Sequence, residues 1–273
     1  MTNPDQALVA VRRIASFGTF VAALEMLSKH ERFGKGDLLG AQWDTYRPGF
    51  ATRHPRAARV LSSKAVPIAG YAVQAAVSAA TFAWPRNRAL QAVGGTVLAL
   101  LRTGQQQWNT FGGDGADDMQ QVVNVVLAST ALVRDRGKGT DLAMRALTLE
   151  TTLAYVASGL VKAVSPVWLK GDAVAGVMRT KAYGDPRVSR LLTKYPALSK
   201  AVSWGTIASE LGFPLVFVLP RPAARLYLLS MAAFHAGIGQ FMGLNRFLVA
   251  FGATHPAVDY VLARRAAARA GER

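Results

Sequence analysis

Residues 65–84 carry no acidic or basic side chain, and the run is long enough to cross the apolar core of a bilayer, which takes about 20 residues of helix. Apolar runs recur at 7–28, 89–107, 119–133, 141–164, 201–219 and 226–244, each holding at most a few ionisable groups. In lipid a spanning segment must satisfy its backbone internally, so runs of this length predict helices. The expectation is therefore an all-α, polytopic integral membrane helix bundle with about seven transmembrane helices and interfacial loops. A single membrane domain over 1–257 and a basic, Ala- and Arg-rich tail over 258–273, an exposed helix or a disordered segment, complete the layout. Composition agrees: 51% of residues are hydrophobic, 18% are charged, and mean hydropathy is +0.19.

The formal charge of +16 invites a nucleic-acid reading. The basic residues lie between the apolar runs rather than on one amphipathic face, which suits anionic lipid headgroups instead. No nucleic-acid partner is expected. The chain has no cysteine, which excludes disulfides, thiol catalysis and thiolate metal sites. Arg12-Arg13 followed by an apolar run imitates a secretory signal, but Glu25 interrupts it and Lys29-His30-Glu31 stands where small residues would be cleaved. A retained first helix is expected, with Glu25 facing protein rather than lipid. Trp43, Tyr46 and Phe50, in the basic stretch after it, suit an interfacial layer.

Short basic turns hold Arg86 and Arg88, Arg134, Arg136 and Lys138, and Arg221 and Arg225. With Arg12 and Arg13 they fall on one side of a seven-helix arrangement. Basic short loops face the cytoplasm, so the chain is placed in the cell inner or plasma membrane, multi-pass, with a cytoplasmic N-terminus. The acidic turn holding Asp114, Asp117 and Asp118 falls outside, and these carboxylates sit where a helix starts and read as caps. A surface helix is expected around 186–192.

Ionisable groups inside apolar runs are costly, and they carry the functional reading. Glu150, Glu210 and His235 lie within spans, and Lys162 lies near the end of its own. Tyr155, Ser158 and Lys162 fall at i, i+3 and i+7, one face of a helix, and Gly159 beside them admits a close backbone. Pro166 stops that helix, and Trp168 follows. Bringing Lys162, Glu210 and His235 into one polar cavity lets each satisfy the others, with Tyr155 and Trp168 as aromatic walls. The bland alternative is a lysine snorkelling to the interface beside an aromatic-belt tryptophan. No metal-ligand spacing, serine-hydrolase arrangement or Gly-rich phosphate cradle is present.

The pattern Tyr155-x-x-x-Gly159-x-x-Lys162, followed by Trp168 and Gly171, resembles the signature of the horizontally transferred transmembrane domain. That is the membrane domain of the vitamin K-dependent gamma-glutamyl carboxylase and of shorter bacterial proteins. Gly112-Gly-Asp-Gly115, Glu210 and Phe234-His235 extend the resemblance over nearly the whole chain. It implies Lys162 as the base that deprotonates a reduced quinone, with His235 and Glu210 as catalytic neighbours and Tyr155, Ser158 and Trp168 as substrate-binding residues. It also implies a partner protein, an oxidoreductase or a small peptide substrate, besides membrane lipid. Val161 stands where the carboxylase has the first of two lysines, the spacing from Gly159 to Trp168 is one residue longer, and no large extramembrane domain follows. These departures argue against peptide carboxylation. The chain reads as an enzyme or enzyme subunit of unknown reaction; the alternative is a non-catalytic membrane scaffold or transport component whose buried charges lock helices together.

Overall fold

The protein is described from a computed structural model, which covers residues 3–34, 37, 39–40, 48–108 and 113–271. Trp43, Tyr46 and Gly112 lie outside the described residues. The fold is all-helical among them. In chain order the helices are α1 (Pro4–Leu27), α2 (Pro48–Arg53), α3 (Pro55–Leu61), α4 (Ala65–Ala83), α5 (Arg88–Trp108), α6 (Gly115–Ala131) and α7 (Arg136–Ala163). They continue as α8 (Pro166–Lys170), α9 (Asp172–Met178), α10 (Pro186–Lys194), α11 (Pro196–Leu211), α12 (Arg221–Met242), α13 (Asn245–Gly252) and α14 (His255–Gly271). Among the described residues, α1 and α4 are long and apolar enough to cross a membrane by length and composition. The chain forms two compact units, Val9–Ala143 and Met144–Arg273 with Met1–Leu8.

In the first unit, α1, α4, α5 and α6 run antiparallel to their neighbours in sequence order. Arg12 reaches Pro85, Ser16 pairs with Thr81 at 2.9 Å, and Gln74 donates to the Thr19 carbonyl at 3.1 Å. Gln105 donates to Gln74 at 2.8 Å, and Arg102 pairs with Asp117 at 3.2 Å. A Cβ on Gly95 would lie 2.9 Å from Ala128 Cβ, so a glycine sets how closely α5 and α6 approach. These links put Arg12, Arg86, Arg88 and Arg134 at one end of the unit and the Asp114 turn at the other. Asp114 caps α6: its side chain accepts from the N–H groups of Ala116 and Asp117 while Asp117 reaches back, a capping box.

Between its helices this unit buries apolar side chains such as Val11, Tyr71, Leu98, Met119, Val123 and Leu127 together with many polar ones. Ser16, Thr19, Gln74, Ser78, Thr81, Gln91, Gln105 and Asn124 are buried. Phe17, Leu24, Val73, Phe82, Trp84, Val93, Leu100 and Val125 are exposed. Small and hydrogen-bonding residues between helices with apolar faces outward is the arrangement that lipid favours.

Glu25 departs from expectation. It is exposed at the end of α1, one turn from where the helix ends, so it needs no protein partner. In the second unit, the run 201–219 is not one continuous helix. It breaks at Leu211 and continues as a 3-10 turn, Phe213–Phe217, because Pro214 lacks an N–H and its ring clashes with a preceding carbonyl. Phe213 and Val216 are fully buried, while Pro214, Leu215 and Val218 are exposed. The surface helix expected near 186 is α10, capped by Asp185, which accepts from Arg187 and Val188; those bonds hold the Asp185 carboxyl below its usual range. The basic tail is helical throughout its described length. Its first turns are packed, with Val258, Tyr260 and Leu262 buried, and its later residues are exposed.

Candidate functional site

The site is built on one face of α7, in the second unit. Tyr155, Ser158, Gly159 and Lys162 follow one another at helical spacing, and α11 lies against them because Gly159 has no side chain. A Cβ there would stand 2.9 Å from Leu211 Cγ and 3.1 Å from Glu210 Cβ. That close approach delivers the carboxylate. Lys162 Nζ donates to Glu210 Oε2 at 2.7 Å and to Oε1 at 2.9 Å.

Lys162 also donates to the Ser158 hydroxyl, and Ser158 Oγ lies 3.4 Å from Glu210 Oε1. The lysine side chain is 17% exposed and that of Glu210 only 6%. An ammonium has three donors. Four acceptor atoms surround this one, counting the Ser158 carbonyl at 3.4 Å. Trp168, placed by the Pro166 turn, sets its ring 5.3 Å from the same nitrogen, within cation–π range. The lysine points inward, to a carboxylate on another helix, and the snorkelling alternative fails.

A second cluster lies deeper along the same face of α7. Tyr155 is 2% exposed, and its hydroxyl sits 2.9 Å from His235 Nε2 and 3.5 Å from His255 Nε2. Phe213 and Phe251 pack against the Tyr155 ring at centroid distances of 4.5 and 5.2 Å. Phe251 also stacks on His235 at 4.5 Å. The other ring nitrogen of His235, Nδ1, is buried with no hydrogen-bond partner among the described residues.

The six residues singled out from sequence thus fall into two adjoining groups rather than one. Lys162, Glu210, Ser158 and Trp168 meet directly, and Tyr155 joins His235. Among the described residues no hydrogen bond links His235 to Lys162 or Glu210. The faces of the Tyr155 ring are covered, which leaves Trp168 as the aromatic surface nearest the lysine. His255 completes the second cluster and was not a sequence candidate. Its signal was faint: it follows Phe251 by four residues and opens α14 just ahead of Pro256.

Chemically the first group is a neutral pair that shares a proton. While Lys162 holds it, the nitrogen has no lone pair to act as a base. Passing it to Glu210 leaves an amine and a carboxylic acid, and only that form can accept a proton from a third molecule. No known protein family, curated protein or solved structure matches this chain.

Proposed function

We propose that the chain is a multi-pass membrane protein of about seven spans whose Lys162–Glu210 pair binds and deprotonates a lipid-soluble, hydroxyl-bearing molecule, of which a reduced quinone is the example. The observation that carries the reading is an ion pair enclosed by apolar helices, with an indole face beside the ammonium. In this reading Lys162 is the base or charge anchor, and Glu210 takes up and returns its proton. Ser158 holds the two in register, and Trp168 stacks on the ring of the ligand. Tyr155 and His235 connect the pair to the interior as hydrogen-bond partners and proton carriers. The membrane setting is supported by the large apolar side chains exposed on the first unit, by two apolar helices of spanning length and by the stripe Leu149, Leu153, Leu160 and Val164 exposed along α7. The basic end of the first unit faces the cytoplasm under the positive-inside rule, in an inner or plasma membrane. A partner, an oxidoreductase or a small peptide substrate, supplies the rest of the reaction. This is also what the resemblance to the horizontally transferred transmembrane domain implies.

A second reading has its own observation. Every donor of Lys162 is already occupied, which is what a purely structural lock between α7 and α11 requires, as in a scaffold or transport component. Titration of the purified protein in neutral detergent with a short-chain reduced ubiquinone, followed by tryptophan fluorescence, separates the two. Saturable quenching that Lys162→Met and Trp168→Phe abolish, in protein that still folds, supports the site. A wild type that gives no saturable response leaves the lock as the better account.

A further inference from the structure

Arg12 lies in the first unit, on α1, with only 5% of its surface exposed. A buried cation is held by an acid or by a full set of acceptors. Arg12 has neither. Among the described residues no carboxylate stands within ion-pair distance, and its hydrogen bond is a single one, from Nη1 to the Pro85 carbonyl at 2.6 Å. Its Nε is buried with no partner. The charged neighbour that acts on it is Arg88, which is also positive. Asp135, the acid of the nearby turn, is engaged with the Lys138 N–H at the start of α7.

Arg88 shows what a structural arginine looks like at the same end. Its guanidinium is spent on carbonyls at and just beyond the end of α6, donating to Ala131 at 2.9 and 3.2 Å, to Val133 and to Arg134. Arg12 makes one such bond, and its buried Nε has no partner among the described residues. Two guanidinium charges therefore stand together, one buried and incompletely paired, where Arg13 and Arg86 add to the positive field.

We propose that Arg12, with Arg88 beside it, is the cationic half of a phosphate-binding site. A guanidinium presents paired donors that match two oxygens of a phosphate, and an oxyanion between the two arginines relieves both their repulsion and the unmet donor. The phosphate is either the phosphodiester of an anionic lipid headgroup or a free phosphate. The Arg12 guanidinium meets the Pro85 carbonyl just past the end of α4, the depth at which headgroups lie if these helices span a bilayer. The site does not depend on the chemistry at Lys162.

The test is thermal unfolding of the full-length protein in neutral detergent. The additions are phosphatidylglycerol, phosphatidylcholine, inorganic phosphate, or chloride at matched ionic strength. A ligand near saturation raises the midpoint by on the order of 5 °C for a chain of this size. A rise with phosphatidylglycerol alone assigns the site to a lipid headgroup; a rise with inorganic phosphate as well assigns it to phosphate in general. Arg12→Gln should lose most of the shift, while Arg86→Gln, a change on the exposed turn, should keep it. The proposal is overturned if neither phosphate probe exceeds its control, or if Arg12→Gln responds like wild type. Should Arg12→Gln fail to fold, Arg12→Lys keeps the charge without the fork, and native mass spectrometry reads retained phosphatidylglycerol. About tenfold weaker retention supports the site, and equal retention refutes it.

Discussion

Lys162 and Arg12 are both cations withdrawn from water, each in a different unit, and the chain treats them in opposite ways. Lys162 meets a carboxylate from another helix, the hydroxyl of Ser158 and the face of Trp168. Arg12 receives one carbonyl and has a second arginine for company. The cost of desolvation is offset inside the molecule in the first case, but in the second only where an outside anion is available. A closed ion pair makes a lock or a proton-sharing site, whereas an incomplete one makes a receptor. The two should therefore respond differently to every perturbation of charge.

Removing one partner of the closed pair gives the largest effect. Lys162→Met or Glu210→Gln leaves a lone charge or an unmet polar group in an apolar setting and should cost about 3–5 kcal/mol, read from denaturant unfolding in detergent. The double change Lys162→Met with Glu210→Leu should recover most of that loss, because apolar replacements of similar volume need no counter-charge. Single variants within about 1 kcal/mol of wild type would mean that water reaches the pair freely, and the contrast with Arg12 would collapse.

Gly159 sharpens the same contrast by geometry. Glycine there puts α11 close enough for the carboxylate to reach, and a Cβ would meet Leu211 and Glu210 inside contact distance. Gly159→Ala should destabilise by about 1–3 kcal/mol through overpacking and should loosen the pair. The overpacking cost should persist when the change is added to the double variant, where Leu211 and the Cβ at position 210 remain, and only the part that comes from loosening the pair should be absent.

Much of this was legible in the sequence, and the boundary of legibility has physical causes. The helices could be read because apolar runs and breakers act locally: α4 occupies Ala65–Ala83 within the run at 65–84, and Asp114 caps α6. The face holding Tyr155, Ser158 and Lys162 followed from the helical period alone. Glu210 was legible as a costly residue that needs a partner, and Gly159 showed where a helix comes close. What could not be read was a choice among partners on other helices. His235 turned to Tyr155 rather than to Lys162, and His255 arrived from α14, because those pairings depend on tertiary packing. The break at Gly212-Phe-Pro214 was written in the chain, but the apolar run around it suggested continuity. Arg12 resembled an ordinary basic flank; only burial reveals that its charge lacks a partner.

The next perturbation acts on the other side of the comparison. In lipid-free detergent with chloride as the only anion, Arg12→Met should change stability by no more than about 1 kcal/mol in either direction. It gives up a single hydrogen bond but also removes a buried charge beside Arg88. The same substitution at Lys162 is expected to cost several times as much. Comparable losses at both positions would show that Arg12 has a full complement of partners within the chain and would remove the reason for a phosphate there.

The smallest effect belongs to a third pairing, which tests whether burial is what separates the first two. Asp259 accepts from Arg225 at 2.9 Å through both of its oxygens and lies 3.4 Å from Arg221. The Arg225 side chain is 54% exposed, so water screens the pair. The Arg225 guanidinium, aided by Arg221, holds the Asp259 carboxyl below its ordinary range despite partial burial. A depressed carboxyl stabilises the fold at pH values above its unfolded pKa, about 3.9. That contribution is lost as pH falls through the still lower folded value. The stability difference between wild type and Asp259→Asn should therefore be below about 1 kcal/mol at neutral pH, steady down to about pH 5, and gone in stronger acid. It should also shrink in molar salt, unlike the loss at Lys162. A difference that grows on acidification would reverse the sign of the linkage. One as large as that of Glu210→Gln would mean that exposure, and not the presence of a partner alone, has been misjudged as the variable that sets what a charge is worth in this fold.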